Sequence, residues 1–229
     1  MKYAQIILLT IFILVSCQPG VYRTEKISNI DKSLEQEIAD IYNSSDIADK
    51  LNYNIFRMAM VGFYNIKVPN KNVLTIIDYS RPSTEKRLFV IDLINKKPLF
   101  NTLIAHGKNS GENLATVFSN VPESKTSSLG FFITAETYMG SNGYSLRLDG
   151  IERDINHNAR KRDIVIHKAD YVSSDFIEKE GRLGRSWGCP ALPNEVSKNI
   201  IDTIKEGTCL FIYGNDKNYL EKSNYIEIQ

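Results

Sequence analysis

The sequence predicts a mainly β domain with a helical N-terminal prefix and one or more helices packed on the β core. Three observations carry that expectation. Between Asp31 and Tyr64 apolar side chains recur at helical spacing. From Asn72 onward the chain breaks into short β-branched and apolar runs bounded by turn residues. Between Asn194 and Glu206 helical spacing returns, with Val196, Ile200, Ile201 and Ile204 as the apolar stripe.

The helical prefix rests on Leu34, Ile38, Ile41 and Tyr42, then on Leu51, Ile55, Met58, Ala59 and Phe63. Two or three helices fit this stretch, and Asp31 is a suitable N-cap for the first. The first strands are expected at Val73–Ile77, Arg87–Leu93 and Leu99–Ala105, with Asn95-Lys-Lys-Pro98 as a hairpin connection between the last two. Leu129–Thr134, Ser145–Leu148, Ile164–Ile166 and Leu210–Tyr213 supply further strands.

Ahead of the prefix, Met1-Lys2-Tyr3 opens a ten-residue apolar run, Ile6–Val15. A membrane-spanning helix needs about 20 residues, so residues 1–16 read as a secretory signal peptide. Leu14-Val-Ser-Cys17 resembles the lipobox of bacterial lipoproteins, in which the cysteine takes lipid and becomes the mature N-terminus. An ordinary signal peptide with an incidental cysteine is the alternative. Gln18-Pro-Gly20 then serves as a short tether. The expected division is a lipoprotein signal peptide over 1–16, tether and helical prefix over 17–69, and the main domain over 70–229.

The formal net charge is +1 over 229 residues, which gives no electrostatic argument for nucleic acid. Three histidines, His106, His157 and His167, have no tight ligand spacing, so no metal site is expected; no other cofactor is expected either. Of the three cysteines, Cys209 falls in an apolar run that reads as a buried strand. Cys189 instead lies in Gly181-Arg-Leu-Gly-Arg-Ser-Trp-Gly-Cys-Pro190. Cations and backbone N–H groups beside a thiol favour the thiolate. His167, at the end of Asp163-Ile-Val-Ile-His167, is a candidate base. A cysteine with a histidine elsewhere in the chain is the pattern for acyl transfer through a thioester. The plain alternative is a small core cysteine under a solvated turn. Gly188 permits close approach of a substrate, and N–H groups around Trp187–Cys189 can form an oxyanion hole. Ser186 either fixes the turn or donates to substrate. His157 reads as a surface loop residue. Tyr171 and His106 are candidates for the cleft, whereas Tyr138, Tyr144 and Arg147 read as packing or solvated surface.

Together these segments resemble the L,D-transpeptidase catalytic domain (YkuD-like) family, in its murein lipoprotein branch. The usual pattern is His-Gly, a loop, then Ser-His-Gly-Cys. Here the matching residues are Ile166-His-Lys168 and Ser186-Trp-Gly-Cys189, with Ala169–Arg185 as an enlarged loop. Ile76-Ile-Asp78, Leu88–Leu93, Ala105–Gly111, Phe118-Ser-Asn120 and Ser127–Phe132 extend the resemblance over about residues 70–214. Trp187 replaces the second motif histidine. Pro190-Ala191 replaces the arginine after the cysteine, which leaves Arg182 or Arg185 to bind a substrate carboxylate. The resemblance implies a β-sandwich or barrel core, peptidoglycan stem peptides as substrate, Cys189 as nucleophile, His167 as acid–base and the Lys168 carbonyl as its orienting acceptor. It also implies a lipid-anchored location on the periplasmic face of a bacterial membrane, with the outer membrane as the expected one. The expected reaction is that of an L,D-transpeptidase, with the acyl group passed to an amine acceptor; an L,D-carboxypeptidase using water, or a non-catalytic murein-binding lipoprotein, is the alternative.

Overall fold

The computed structural model describes residues 21–70 and 72–227. The expected signal peptide, Cys17 and the tether lie outside them. Among the described residues no helix is long and apolar enough to cross a membrane. The chain divides into two units between Gln36 and Glu37.

The elements are α1 (Val21–Ser44), α2 (Tyr53–Asn65), β1 (Val73–Asp78), β2 (Leu88–Asp92), β3 (Lys97–Thr102), β4 (Gly130–Gly140), β5 (Gly143–Gly150), β6 (Val165–Lys168), α3 (Ser174–Glu180), β7 (Ala191–Leu192), α4 (Asn194–Ile204), β8 (Cys209–Tyr213) and α5 (Lys217–Lys222). Asp31 lies inside α1 rather than at its start. An aspartate in a helix interior costs only a few tenths of a kcal/mol, so a cap-type residue alone does not begin a helix. The working cap is Asn52, whose Oδ1 accepts from the Asn54 N–H at 2.9 Å and starts α2.

Among the described residues eight strands form one mostly antiparallel sheet in the order β3-β2-β1-β8-β4-β5-β6-β7, with parallel pairs at β1/β8 and β6/β7. The interior strands β1, β2 and β8 are almost wholly buried, which explains their continuous apolar runs. Phe131 of β4 stacks on Phe211 of β8, ring centroids 4.4 Å apart. The expected hairpin between β2 and β3 forms, and Asp92 Oδ1 accepts from the Ile94 and Asn95 N–H groups in its turn. Helix α2 buries Ile55, Phe56, Ala59, Met60 and Phe63 and packs on β1 and β8. Helix α4 buries Ile200, Ile201 and Ile204 and packs on β5 and β6.

The two ends of the sheet meet. Ala105, just beyond β3, exchanges both backbone hydrogen bonds with Ala191 of β7, at 2.9 and 3.3 Å. Gly107 bridges Ser186 in the same seam. Sheet edges are otherwise open to mispairing; here the chain leaving one edge strand covers the other. Both motifs singled out in the sequence lie at this seam.

Candidate active site

Strand β6 and the turn before β7 build the site. The parallel register sets His167 opposite Ala191, two residues beyond Cys189. Val165 and His167 share one face of β6 because side chains alternate along a strand. The Cys189 sulfur meets that strand: Sγ accepts from the Val165 N–H at 3.5 Å, and its thiol reaches the Asp163 carbonyl at 3.5 Å.

His167 is 4% exposed. Its Nδ1 lies 2.8 Å from the Lys168 carbonyl oxygen. A carbonyl can only accept, so Nδ1 carries the proton and Nε2 keeps a free lone pair. Burial pushes the imidazole below its ordinary value, against a smaller opposing effect of the Lys168 hydrogen bond. The ring is therefore neutral at neutral pH and competent as a base.

Cys189 departs from the expectation of a thiolate favoured by its neighbours. Burial pushes the thiol up, outweighing the Val165 N–H and the Arg162 charge that favour ionisation. The arginines of its own turn are occupied elsewhere. Arg182 Nε lies 2.9 Å and Arg185 Nη1 2.6 Å from the Glu112 carboxylate, and Arg185 also donates to the Lys108 and Gly111 carbonyls. Both tie the motif to the Gly107–Ala115 segment. The resting site thus holds a neutral thiol and a neutral imidazole.

Ser186 pins the turn. Its Oγ donates to the Cys189 carbonyl at 2.6 Å and accepts from the Gly188 N–H at 3.0 Å. The Gly188 N–H is thereby taken, which leaves the Trp187 and Cys189 N–H groups as candidates for an oxyanion hole. Gly188 has φ +124°, and a Cβ there would meet the Thr126 carbonyl oxygen at 2.8 Å. Trp187 stands 73% exposed, with the Lys125 ammonium 4.6 Å from its ring centre.

Tyr171 is half-buried, and burial, aided by Cys189, pushes its phenol up to about 12. It lines an open groove of about 520 Å³ together with His167, Lys168, Asp170, Asn194 and the β4–β5 turn. His106 is fully buried and does not line this groove. Its Nδ1 accepts from Arg87 at 2.8 Å, its Nε2 faces the Gly111 carbonyl at 3.3 Å, and burial with Arg87 pushes it down to about 4. His157 is exposed and accepts from the Asp154 N–H. Among the described residues no group of three or more His, Cys, Asp or Glu side chains can hold a metal ion.

Arg162 escaped the sequence reading. It is the cation whose charge acts on Cys189, and its signal was only the basic run Arg160-Lys161-Arg162 before β6. Ser127 was equally unmarked as a link. Its Oγ accepts from the Gly107 N–H and donates to the Gly188 carbonyl.

A family model described as the L,D-transpeptidase catalytic domain matches residues 47–213. The match begins before residue 70 and takes in α2, which the sequence grouped with the prefix. A comparison with curated protein sequences finds no match. Among solved structures, the chain is similar to an L,D-transpeptidase from Mycobacterium smegmatis (12% identity, 62% of this chain and 59% of that one, TM-score 0.40). It is also similar to an L,D-transpeptidase from Stackebrandtia nassauensis (16% identity, 73% and 68%, TM-score 0.39). A third similarity is to a helical cell shape determining protein from Campylobacter jejuni (13% identity, 72% and 55%, TM-score 0.44). The chain spans little more than half the length of the first and third of these.

Proposed function

The chain belongs to the L,D-transpeptidase catalytic-domain family, and from that premise we propose that it is a cysteine-dependent acyltransferase acting on peptidoglycan stem peptides. The observation that carries the proposal is the placement at β6 of Cys189 Sγ, against the Val165 N–H, and, two residues further along the same strand, of a buried His167 oriented by the Lys168 carbonyl. His167 Nε2 takes the Sγ proton as Sγ attacks the carbonyl carbon at the L-centre of meso-diaminopimelate. The C–N bond breaks, Nε2–H protonates the departing D-alanine amine, and a thioester remains on Cys189. An acceptor amine then attacks that thioester and gives a proton to His167. The C–S bond breaks with its electron pair on sulfur, which recovers the proton. Tyr171, Lys168 and Asp170 offer polar groups along the groove beside His167.

The proposal includes a lipid anchor at Cys17 on the periplasmic side of a bacterial membrane. This part rests on Leu14-Val-Ser-Cys17 after the apolar run.

Purified protein incubated with disaccharide-tetrapeptide muropeptides tests the reaction. Expected are released D-alanine, cross-linked dimers, and a mass adduct on Cys189 that Cys189→Ala abolishes. Tripeptide products without dimers make the enzyme an L,D-carboxypeptidase instead. Neither D-alanine nor an adduct leaves a non-catalytic murein-binding protein.

A further inference from the structure

Arg162 lies in the turn that leads into β6, and its guanidinium crosses to the segment Ser119–Ser128. Nη1 donates to the Ser119 carbonyl at 2.6 Å and to Ser128 Oγ. Nη2 donates to the Thr126 carbonyl at 2.7 Å and to Ser124 Oγ at 3.1 Å. The four N–H groups of the two terminal nitrogens thus have four acceptors, all of them neutral. Arg147, Arg160, Arg182 and Arg185 each meet a carboxylate. Arg162 is half-buried with its charge uncompensated by any of its own acceptors.

That charge stands at the motif. A Cβ on Gly188 would lie 3.5 Å from Arg162 Nη2 and 2.8 Å from the Thr126 carbonyl oxygen that Nη2 holds. Gly188 directly precedes Cys189. We propose that Arg162 is a positioning residue of this site, clamping the Ser119–Ser128 segment under Gly188 and supplying the fixed positive charge that stabilises Cys189 Sγ when it bears negative charge. The sulfur bears that charge twice: when His167 removes its proton, and when the thioester C–S bond breaks with the electron pair on sulfur. The inference rests on Cys189 being the nucleophile.

The surroundings support it. The Arg162 charge favours the Cys189 thiolate, and the sulfur in turn raises Arg162, whose burial otherwise lowers it. Asp163, one residue on, opposes Arg162 at Cys189 and is partly engaged by Arg147 at 3.3 Å. Tyr79 and Tyr171 also feel the sulfur, and both phenols are raised and neutral. His167 is neutral from burial. Arg162 is thus the cation identified as favouring ionised sulfur. Its saturated terminal donors also separate it from a substrate-carboxylate ligand.

The test is the pH profile of iodoacetamide alkylation of Cys189 in the full chain, with adducts mapped by mass spectrometry so that Cys17 and Cys209 do not contribute. Arg162→Gln is expected to move the midpoint about one pH unit alkaline, and Arg162→Lys to keep it near that of the wild type. With muropeptide, Arg162→Gln is expected to lower kcat and leave KM unchanged. An unmoved midpoint in folded Arg162→Gln overturns the proposal, as does a rise confined to KM. If Arg162→Gln does not fold, Arg162→Met, which keeps the apolar stem without the charge, is expected to move the midpoint alkaline in the same way, and an unmoved midpoint in the folded variant overturns the proposal. Alkylation needs no muropeptide, so a failure of the acyltransferase reading is seen separately, as wild-type protein that alkylates normally yet releases no D-alanine.

Discussion

Gly188→Ala isolates the backbone geometry that places Cys189, the proposed nucleophile. Gly188 sits at φ +124°, where a new Cβ would stand 2.8 Å from the Thr126 carbonyl oxygen and 3.2 Å from Ile164 Cδ1. Carbon and carbonyl oxygen rest at about 3.3–3.6 Å, so the Thr126 peptide must retreat by about 0.5 Å or Gly188 must move instead. Thr126 cannot retreat freely, because its carbonyl also accepts from Arg162 at 2.7 Å. Holding an alanine at such a φ costs about 1–3 kcal/mol. At about 2–4 °C per kcal/mol for a chain of this size, Tm should fall by about 2–12 °C. Displacement of the motif by a fraction of an ångström should lower D-alanine release by about 10–100-fold. Gly181→Ala is the control. Gly181 also has positive φ, +70°, but no atom lies within 4 Å of its would-be Cβ. It should lose about 1–2 kcal/mol and keep its turnover. Thermal melts and muropeptide assays on both variants decide the matter. Wild-type turnover in Gly188→Ala, or equal losses in the two variants, would refute the reasoning.

His167→Ala should lower turnover by about 10²–10⁴-fold with the fold intact, and the acid limb of the wild-type pH–rate profile should lie below 6.5, since burial lowers the imidazole; undiminished activity in His167→Ala removes it from the mechanism. Trp187→His should retain measurable activity, because indole can donate but cannot serve as a base and the side chain is largely exposed. Native protein should take iodoacetamide on Cys189 and not on Cys209, which is fully buried in β8 with its thiol pushed far up; an adduct on native Cys209 contradicts this. Glu152 is buried, accepts from the Phe131 N–H and Ser223 hydroxyl, and burial raises its carboxyl above 4.5. The folded state then holds that proton more tightly than the unfolded chain, so stability falls as pH rises from 4.5 to the raised native value; Glu152→Gln should flatten urea midpoints across that window, and an unchanged slope would exclude Glu152 as its source. Labelled fatty acid should enter the chain and be lost in Cys17→Ala, whereas mature protein lacking lipid would remove the anchor.

The sequence by itself determined the mainly β core, because strands such as β1, β2 and β8 are apolar and β-branched along their length and local composition suffices to mark them. It also marked α2 and α4 by their 3.6-residue stripes, and Cys189 and His167 by their motifs. Short elements escaped. Strand β7 has two residues and α3 seven, too few for a period to show, although Ser173 caps α3 through the Phe176 N–H and Gly181 ends it at φ +70°. What only the tertiary structure decided was which charges reach the sulfur. Arg182 and Arg185 are near Cys189 in sequence, yet Glu112, more than seventy positions away from Arg185 along the chain, engages them. Nothing in the sequence beyond a basic run marks Arg162, whose guanidinium the Ser119–Ser128 segment wraps in neutral acceptors 34 to 43 positions distant. Local pattern fixes burial and period, whereas the field at one atom is a sum over groups that only the closed seam between Ala105 and Ala191 brings together.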